Sequence, residues 1–286
     1  MVLVRRANLA WQRSGRVGLV NRLRRKASPM REVMSGRDYR AVKRKSHFEG
    51  GASQLFGEPI RYSSAGGFLH SVGEIFYDEV YRFDAAGPAP HIIDAGANIG
   101  LSIVYFKRRF PEATIVAYEP DETIFGLLKD NVANLSAVDL RQAAAWVEDT
   151  TLTFYAEGSL AGSLELDSEN LNRPVKVRAE RLRSELEKRF VDFLKIDIEG
   201  AENNVMFDIE DKLDNVGLLF FEYHSNPDKP QLLGDLLNLV TKAGFRYVIN
   251  GAHGVAHPFT DTPPHGFDLQ LNVSCFRPGD RQGRHS

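Results

Sequence analysis

Short runs of apolar residues alternate along the chain with longer stretches in which apolar residues recur every three or four positions. Short apolar runs bounded by Gly, Pro or polar residues are typical of buried strands, and the longer spacing is typical of helices. The runs predict strands over residues 92–94, 114–118, 138–146, 193–198, 217–221, 245–249 and 269–276. The spacing predicts helices over residues 101–110, 123–135, 184–190, 203–213 and 231–243. This alternation predicts a mostly parallel sheet with helices on both faces.

One part of the pattern interrupts the alternation of strand and helix. Two extended runs, residues 151–155 and 175–182, follow each other with no helical stretch between them. They are joined by a loop that contains Gly and Ser, which is typical of a connection between antiparallel strands. The pattern therefore predicts a hairpin inserted into the α/β alternation.

The chain divides into four predicted segments. Residues 1–45 form a basic N-terminal extension, and residues 46–90 form a mixed segment with a predicted helix over 71–83. We interpret the mixed segment as a cap packed on the domain that follows. Residues 91–277 form that α/β domain, and residues 278–286 form a polar tail.

Charge is distributed unevenly between these segments. The whole chain has a net charge of −2. Residues 1–45 carry fourteen Lys and Arg and two acids, so the net charge of residues 46–286 is −14. Three interpretations of the extension stay open: a basic amphipathic segment on an anionic membrane or another polyanion, a solvated tail, or an organelle transit peptide. Nothing else in the pattern predicts a nucleic-acid partner.

Composition restricts the compartment. No apolar run approaches the ~20 residues of a membrane-spanning helix, and the N-terminus has no continuous apolar region typical of a secretory signal. The single cysteine, Cys275, cannot form an internal disulfide, which is typical of a reducing compartment. We therefore expect a cytoplasmic protein, with the inner membrane surface as a site of peripheral contact for residues 1–45.

Candidate chemistry begins at the end of the first predicted strand. Asp94 ends the strand, a glycine-bearing turn follows, and the acid Glu119 ends the next strand. In open α/β sheets ligands bind at this edge, and such an acid can accept hydrogen bonds from a ribose diol. Counting from Gly96, the second and third glycine positions of a dinucleotide loop hold Asn98 and Leu101. The spacing therefore favours a cationic methyl donor over NAD, although such turns also occur without a cofactor.

Four motifs carry a family resemblance. The segments IDAGANIG, YEPD, LKIDIEGAE and FFEYH occur in this order, and LKIDIEGAE at residues 194–202 is the most specific of them. Over roughly residues 92–249 the chain resembles the FkbM-type S-adenosylmethionine-dependent methyltransferases. The resemblance implies a class I, Rossmann-like methyltransferase sheet of seven strands with the final strand antiparallel. It also implies O-methylation, commonly of sugar hydroxyls in glycans or lipopolysaccharide, or of natural-product hydroxyls.

The resemblance also implies a cofactor pocket for S-adenosylmethionine. Glu119, followed by Pro120 in its motif, would bind the ribose hydroxyls, and Ala143 and Ala144 would lie beside the adenine. The methionine and ribose side of the pocket would be formed by Asp94, Gly96, Ala97, Asn98 and Gly100. Residues 1–70 and 250–266 lie outside the matching motifs and inherit no role.

Acidic residues and one histidine follow two neighbouring predicted strands. Asp197 and Glu199 come after the fourth strand, and Glu222 and His224 after the fifth, so all four are expected at one edge of the sheet. Methyl transfer to a hydroxyl needs a group that receives its proton, and an unperturbed histidine titrates near neutrality. We hypothesise that His224 is this base, with Asp197 near the methyl group and Glu222 orienting the imidazole or the acceptor.

Other interpretations of these residues stay open. Glu199 and Glu202, which open a helix, could instead cap it, and Asp197 or Glu199 could replace His224 as the base. The carboxylates and the imidazole could also ligate a divalent metal, although we predict no metal. For the whole chain, the alternatives are an NAD(P)-dependent oxidoreductase and a non-catalytic protein that binds membrane or polyanion. The predicted acceptor is a small molecule or a glycan.

Overall fold

The structure of the chain is a computed structural model. It describes residues 32–154, 175–227, 229–254, 257, 259–260 and 267–281. Most of the predicted basic extension, the loop of the predicted hairpin and the end of the polar tail lie outside these residues. By its internal contacts the chain divides into two compact units, Met1–Val80 and Tyr81–Ser286.

The first unit combines a hairpin with two helices. Its described elements are α1 (Gly36–Lys43), β1 (Gly51–Leu55), β2 (Glu58–Tyr62), α2 (Ala65–Val72) and a π-helical turn (Gly73–Tyr77). The Ser64 side chain accepts a hydrogen bond from the Gly67 amide and so caps α2. The helix predicted over 71–83 is therefore wrong in its bounds: the helical stretch begins at Ala65, where Ser64 caps it, and ends at Tyr77, and residues 78–83 are not helical.

The described residues of the second unit contain ten strands together with helices. In chain order the strands are β3 (His91–Ala95), β4 (Thr114–Tyr118), β5 (Val138–Arg141), β6 (Ala144–Trp146), β7 (Thr150–Phe154), β8 (Val175–Arg181), β9 (Val191–Ile196), β10 (Val216–Ser225), β11 (Arg246–Gly254) and β12 (Leu269–Phe276). The α-helices are α3 (Leu101–Arg109), α4 (Glu122–Val132), α5 (Arg183–Leu186), α6 (Glu202–Asp208) and α7 (Leu233–Lys242). The helix predicted over 203–213 is divided, since a 3-10 helix (Glu210–Asn215) follows α6.

Seven of these strands form the central sheet. Their order is β11-β12-β10-β9-β3-β4-β5, and β12 runs antiparallel to both of its neighbours while the other pairings are parallel. This confirms the predicted seven-stranded class I methyltransferase sheet with an antiparallel final strand. Every residue of β3 is buried, as expected for a strand covered on both faces. The carboxyl ends of β3, β4, β9 and β10 meet at one edge of the sheet.

The predicted hairpin is present but belongs to a second sheet. β7 pairs antiparallel with β8, and β6 pairs parallel with β8, in a sheet of three strands. The strand predicted over 138–146 is therefore two strands, because β5 ends in the central sheet and β6 turns away to join the small one. In the part of the chain that the structure describes, no helix has the length and apolar character needed to cross a membrane.

Candidate functional site

The turn after β3 is held by backbone hydrogen bonds to the end of β4. The Gly96 and Ala97 amides donate to the Tyr118 carbonyl over 3.1 and 2.8 Å, and the Asn98 amide donates to Glu119 Oε2 over 3.0 Å. Gly96 has φ +87°, and a Cβ at this position would lie 1.8 Å from the Asp197 carbonyl oxygen. Only glycine therefore allows the turn to approach the end of β9 this closely.

Glu119 is buried beside this turn. Its Oε2 accepts from Asn98 and its Oε1 accepts from the Asp121 amide over 2.9 Å. Burial raises the pKa of Glu119 to about 7, and the two backbone amides only partly counteract this shift. Each carboxylate oxygen keeps lone pairs for further donors, so Glu119 can accept hydrogen bonds from a diol above neutral pH.

A cavity opens between the ends of β3, β4, β6 and β9. It lies at the carboxyl-terminal edge of the sheet, where ligands bind in open α/β folds. Its lining includes Gly96, Asn98 and Glu119 from the turn after β3 and the end of β4, and Asp197 and Glu199 from the turn after β9. The remaining lining residues are Tyr118, Pro120, Asp121, Ile124, Ala144, Ala145, Trp146, Ile198 and Ala201. The arrangement suits a ligand with an apolar ring at one end and a polar, cationic group at the other.

Asp94 lies behind the turn, where it binds a buried lysine. Its side chain is fully buried, Oδ2 accepts from the Ser102 hydroxyl, and Oδ1 lies 3.2 Å from Lys195 Nζ. The same ammonium donates to the Gly96 carbonyl over 2.8 Å and lies 3.5 Å from Asp197 Oδ2. Burial lowers the pKa of Lys195, but Asp94, Tyr81 and Asp197 raise it above its ordinary value, so the lysine is a cation.

Five of the residues predicted to touch the cofactor line the cavity: Gly96, Asn98, Glu119, Pro120 and Ala144. Asp94, Ala97, Gly100 and Ala143 are not among the described residues that line it, and their contact with the cofactor stays a prediction. A Cβ at Gly100 would lie 2.8 Å from Leu128 Cδ1, so this glycine allows α4 to pack against the turn. Asp94 acts on the turn through Lys195.

Trp146 is a lining residue that the sequence analysis missed. It ends β6, is partly buried, and lines the cavity with Ala144 and Ala145. Ile124, in the first turn of α4, lines the same cavity. Ligands bind at the carboxyl ends of strands. This rule would have identified Trp146 if residues 138–146 had been recognised as two strands, the second of which ends at Trp146.

The acids and the histidine after β9 and β10 meet in one buried cluster. His224 Nδ1 lies 3.0 Å from Glu202 Oε1, and its Nε2 lies 3.0 Å from Glu199 Oε2 and 3.6 Å from Glu222 Oε1. The Glu202 carboxylate also accepts from the Ile198 and Gly200 amides of the turn before α6, whereas the helix itself has no side-chain cap. Glu199 itself adopts a left-handed conformation with φ +58°.

The cluster perturbs the titration of its members. Burial lowers the pKa of His224, but Glu202 and Glu199 more than offset this and raise it well above its ordinary value. Burial raises the pKa of Glu199, while His224 acts in the opposite direction. The side chain of His224 is 1% exposed. A buried imidazolium is unsuited to the predicted role of base, and we revise that role below.

A metal ion was the alternative use of these side chains. Asp197, Glu202 and His224 each offer one ligand atom within 4.8 Å of the others. Glu202 and His224, however, bind each other, and the Glu202 oxygens already accept from backbone amides. These contacts engage two of the three groups, and the absence of a metal stays a prediction.

Comparisons with known proteins match the same part of the chain. The sequence model of the Methyltransferase FkbM domain matches residues 94–247. Methyltransferase 1 of Beauveria bassiana is 32% identical over 178 residues, 52% of this chain and 71% of that protein. Methyltransferase sdnD of Sordaria araneosa is 30% identical over 175 residues, 49% of this chain and 68% of that protein. The 2-O-methyltransferase NoeI of Sinorhizobium fredii is 24% identical over 155 residues, 48% of this chain and 64% of that protein.

Proposed function

Because this chain belongs to the FkbM methyltransferase family and S-adenosylmethionine is its cofactor, we propose that it methylates a hydroxyl oxygen of its acceptor. The observation that carries the proposal is a carboxylate pair, Asp197 and Glu199, that lines the same cavity as Glu119. A hydroxyl must lose its proton as it is methylated, and a positioned carboxylate can receive that proton.

The residues present fit the cofactor. Glu119 would accept hydrogen bonds from the ribose diol, and the apolar wall of Ala144, Ala145 and Trp146 would contact the adenine. The carboxylates near Gly96 favour a positively charged sulfonium and ammonium by electrostatic attraction. When bound, S-adenosylmethionine supplies the methyl group. The chain contributes binding, alignment of the acceptor and acceptance of its proton.

The finer part of the proposal concerns the acceptor. A sugar hydroxyl in a glycan, lipopolysaccharide or glycosylated natural product is our candidate, and the name of the relative NoeI as a 2-O-methyltransferase supports methylation at oxygen. The carboxylates Asp197, Glu199 and Glu222 near the cavity would repel an anionic group placed next to the reacting hydroxyl. We therefore propose a neutral acceptor group at the reacting position.

Transfer of a labelled methyl group tests the function directly. Purified protein is incubated with S-adenosylmethionine tritiated in the methyl group and a panel of glycosides, deoxyglycosides and amines, with and without EDTA. We expect label in hydroxyl-bearing acceptors and none in analogues that lack the reacting hydroxyl. Label only in amines would contradict O-methylation, and loss of transfer with EDTA would restore the metal alternative.

Replacement of Glu119 should weaken cofactor binding. Hydrogen bonds to a charged group contribute about 1.5–3 kcal/mol, so Glu119→Gln is expected to raise the Kd for S-adenosylmethionine ~10- to 100-fold. Because the pKa of Glu119 is about 7, the carboxylate gains a proton as the pH falls below neutrality. Wild-type affinity should therefore fall by about tenfold between pH 8 and pH 6, and that of the variant should change little.

Isothermal titration calorimetry at both pH values measures this effect. Glu122→Gln, the same change at an exposed position in the first turn of α4, is the matched control and should bind like the wild type. Equal pH dependence in wild type and Glu119→Gln would show that Glu119 does not bind the cofactor.

Trp146 provides an optical signal for occupancy of the cavity. The chain has two tryptophans, Trp11 and Trp146, and only Trp146 lines the cavity among the described residues. We expect the cofactor to change tryptophan fluorescence in the wild type and in Trp11→Phe, and not in Trp146→Phe. Loss of stacking in Trp146→Ala should raise the Kd at least fivefold, given ~1–3 kcal/mol for stacking of a base on an aromatic side chain. A signal retained in Trp146→Phe would place the adenine elsewhere.

A further inference from the structure

His224 has no nitrogen available to accept a proton. Nδ1 faces Glu202 Oε1 and Nε2 faces Glu199 Oε2, each over 3.0 Å. A neutral imidazole carries one N–H and one lone pair, so one of its nitrogens would direct a lone pair at a carboxylate. An imidazolium donates to Glu202 through Nδ1 and forms an ion pair with Glu199 through Nε2. The geometry therefore favours the charged form, which accepts no further proton.

Glu202 fixes the segment from which Glu199 projects. Its Oε1 accepts from the Ile198 amide over 3.0 Å, and its Oε2 accepts from the Gly200 amide over 2.9 Å. These two amides flank Glu199, whose left-handed conformation is unfavourable for a residue with a Cβ. The buried Glu202 carboxylate thus stabilises a strained turn and, through His224, contacts the side chain that the turn presents.

Glu199 is the carboxylate of the cluster that best combines access with freedom to react. It lines the cavity, and its side chain is 28% exposed. Asp197 also lines the cavity, but its Oδ2 already lies 3.5 Å from the Lys195 ammonium. Glu222 is 17% exposed and is not among the described residues that line the cavity.

We propose that Glu199 accepts the proton of the acceptor hydroxyl, and that His224, held as an imidazolium between Glu202 and Glu199, is a positioning residue for it. The proposal rests on the proposed function and goes beyond it by assigning the base and its support. The acceptor O–H bond breaks and its proton passes to a Glu199 oxygen. The oxygen's electron pair forms the bond to the methyl carbon, while the electrons of the broken carbon–sulfur bond remain on sulfur.

The charges around Glu199 predict how the activity depends on pH. Asp197 lies on the same turn, Glu202 is on α6, and His224 and Glu222 face it from β10. Burial raises the pKa of Glu199, Asp197 and Glu202 raise it further, and His224 lowers it. Activity should rise with pH as Glu199 loses its proton. Loss of the imidazolium should move this rise to higher pH, and loss of the Asp197 charge should move it to lower pH.

Histidine ring NMR tests the positioning pair without turnover. In protein labelled with 15N in histidine, the resonances absent from His224→Gln identify the ring. We expect both ring nitrogens of His224 to stay protonated at pH 8, whereas an unperturbed histidine titrates near 6.5. In Glu202→Gln the ring should lose its charge at a lower pH than in the wild type. A neutral His224 ring at pH 7 in the wild type would overturn its assignment as an imidazolium.

Kinetic pH profiles test the proton acceptor. Glu199→Gln should lower kcat by ~10²- to 10⁴-fold while the Kd for S-adenosylmethionine stays within about threefold. His224→Gln should shift the acidic limb upward by about one pH unit or more, and Asp197→Asn should shift it downward. Glu210→Gln, the same change at an exposed position after α6, should leave the profile unchanged.

The outcomes separate this proposal from the function on which it rests. Absence of label in every hydroxyl acceptor with the wild type would overturn the proposed function and the role of Glu199 within it. If the wild type turns over and Glu199→Gln is fully active, only the assignment of the base is overturned. If the wild type turns over and the pH profile of His224→Gln is the same as that of the wild type, the positioning role of the imidazolium is overturned. Shifts of the acidic limb of the pH profile in opposite directions in His224→Gln and Asp197→Asn would support the proposal. A general loss of structure would not shift the acidic limb upward in one variant and downward in the other.

Discussion

Gly96→Ala is expected to abolish measurable binding of S-adenosylmethionine. The added Cβ would lie 1.8 Å from the Asp197 carbonyl oxygen, and the residue would have to keep φ +87°. Both elements are backbone, so the turn after β3 and the end of β9 must move apart. Displacements of about 1 Å in a site commonly cost 10²-fold, and we expect the Kd to rise by at least that factor. Calorimetry with the cofactor and with its demethylated product measures the loss.

Gly126→Ala is the matched control for this change. Gly126 lies in the exposed face of α4 with open space where the Cβ would lie. Alanine favours helix over glycine by about 0.5–1 kcal/mol, so this variant should bind normally and unfold at a slightly higher temperature. Circular dichroism of Gly96→Ala should show retained secondary structure. Wild-type affinity in a folded Gly96→Ala would contradict the close approach of these two segments.

Lys195→Met is expected to cause the largest loss of stability. The lysine is buried in the centre of the sheet and neutralises Asp94, which is itself fully buried. Removing one partner of a buried ion pair costs about 3–5 kcal/mol, because the remaining charge has no counterion. For a chain of this size we expect the Tm to fall by about 10 °C, measured by circular dichroism. Cofactor binding should weaken too, since Lys195 also donates to the Gly96 carbonyl.

Two further variants identify the cause of that loss. The double variant Lys195→Met with Asp94→Asn removes both charges, and it should be more stable than Lys195→Met alone. Lys188→Met makes the same chemical change in an ion pair whose lysine is 60% exposed, where such pairs contribute about 0–1 kcal/mol. Equal destabilisation by Lys188→Met and Lys195→Met would contradict a special role for the buried cation.

The strands of the central sheet could be predicted because their pattern is local. The bounds predicted for residues 114–118 and 269–276 agree with β4 and β12 residue by residue. A continuous apolar run between polar ends leaves few other structures that could bury it. The position of Glu119 at the cavity could be predicted for the same reason, because a residue that ends a parallel strand must lie at the ligand-binding edge.

The chemical state of the polar residues could not be predicted in this way. The sequence places Asp94 and His224 near the site, but only the fold pairs Asp94 with Lys195 and encloses His224 between Glu199 and Glu202. Sequence separation conceals these contacts, since Asp94 and Lys195 are about a hundred positions apart. The fold shows that Asp94, predicted on the methionine and ribose side of the pocket, supports the turn through Lys195.

The sequence by itself determined the alternation of strand and helix, the edge at which chemistry occurs and the motifs of the family. These properties follow from hydrophobic periodicity and from residue types within a few positions of each other. The tertiary structure decided which of the gathered groups face the cavity and which are buried as ions. Burial and opposite charge set whether a side chain holds a proton, and both depend on neighbours that only the packed sheet brings together.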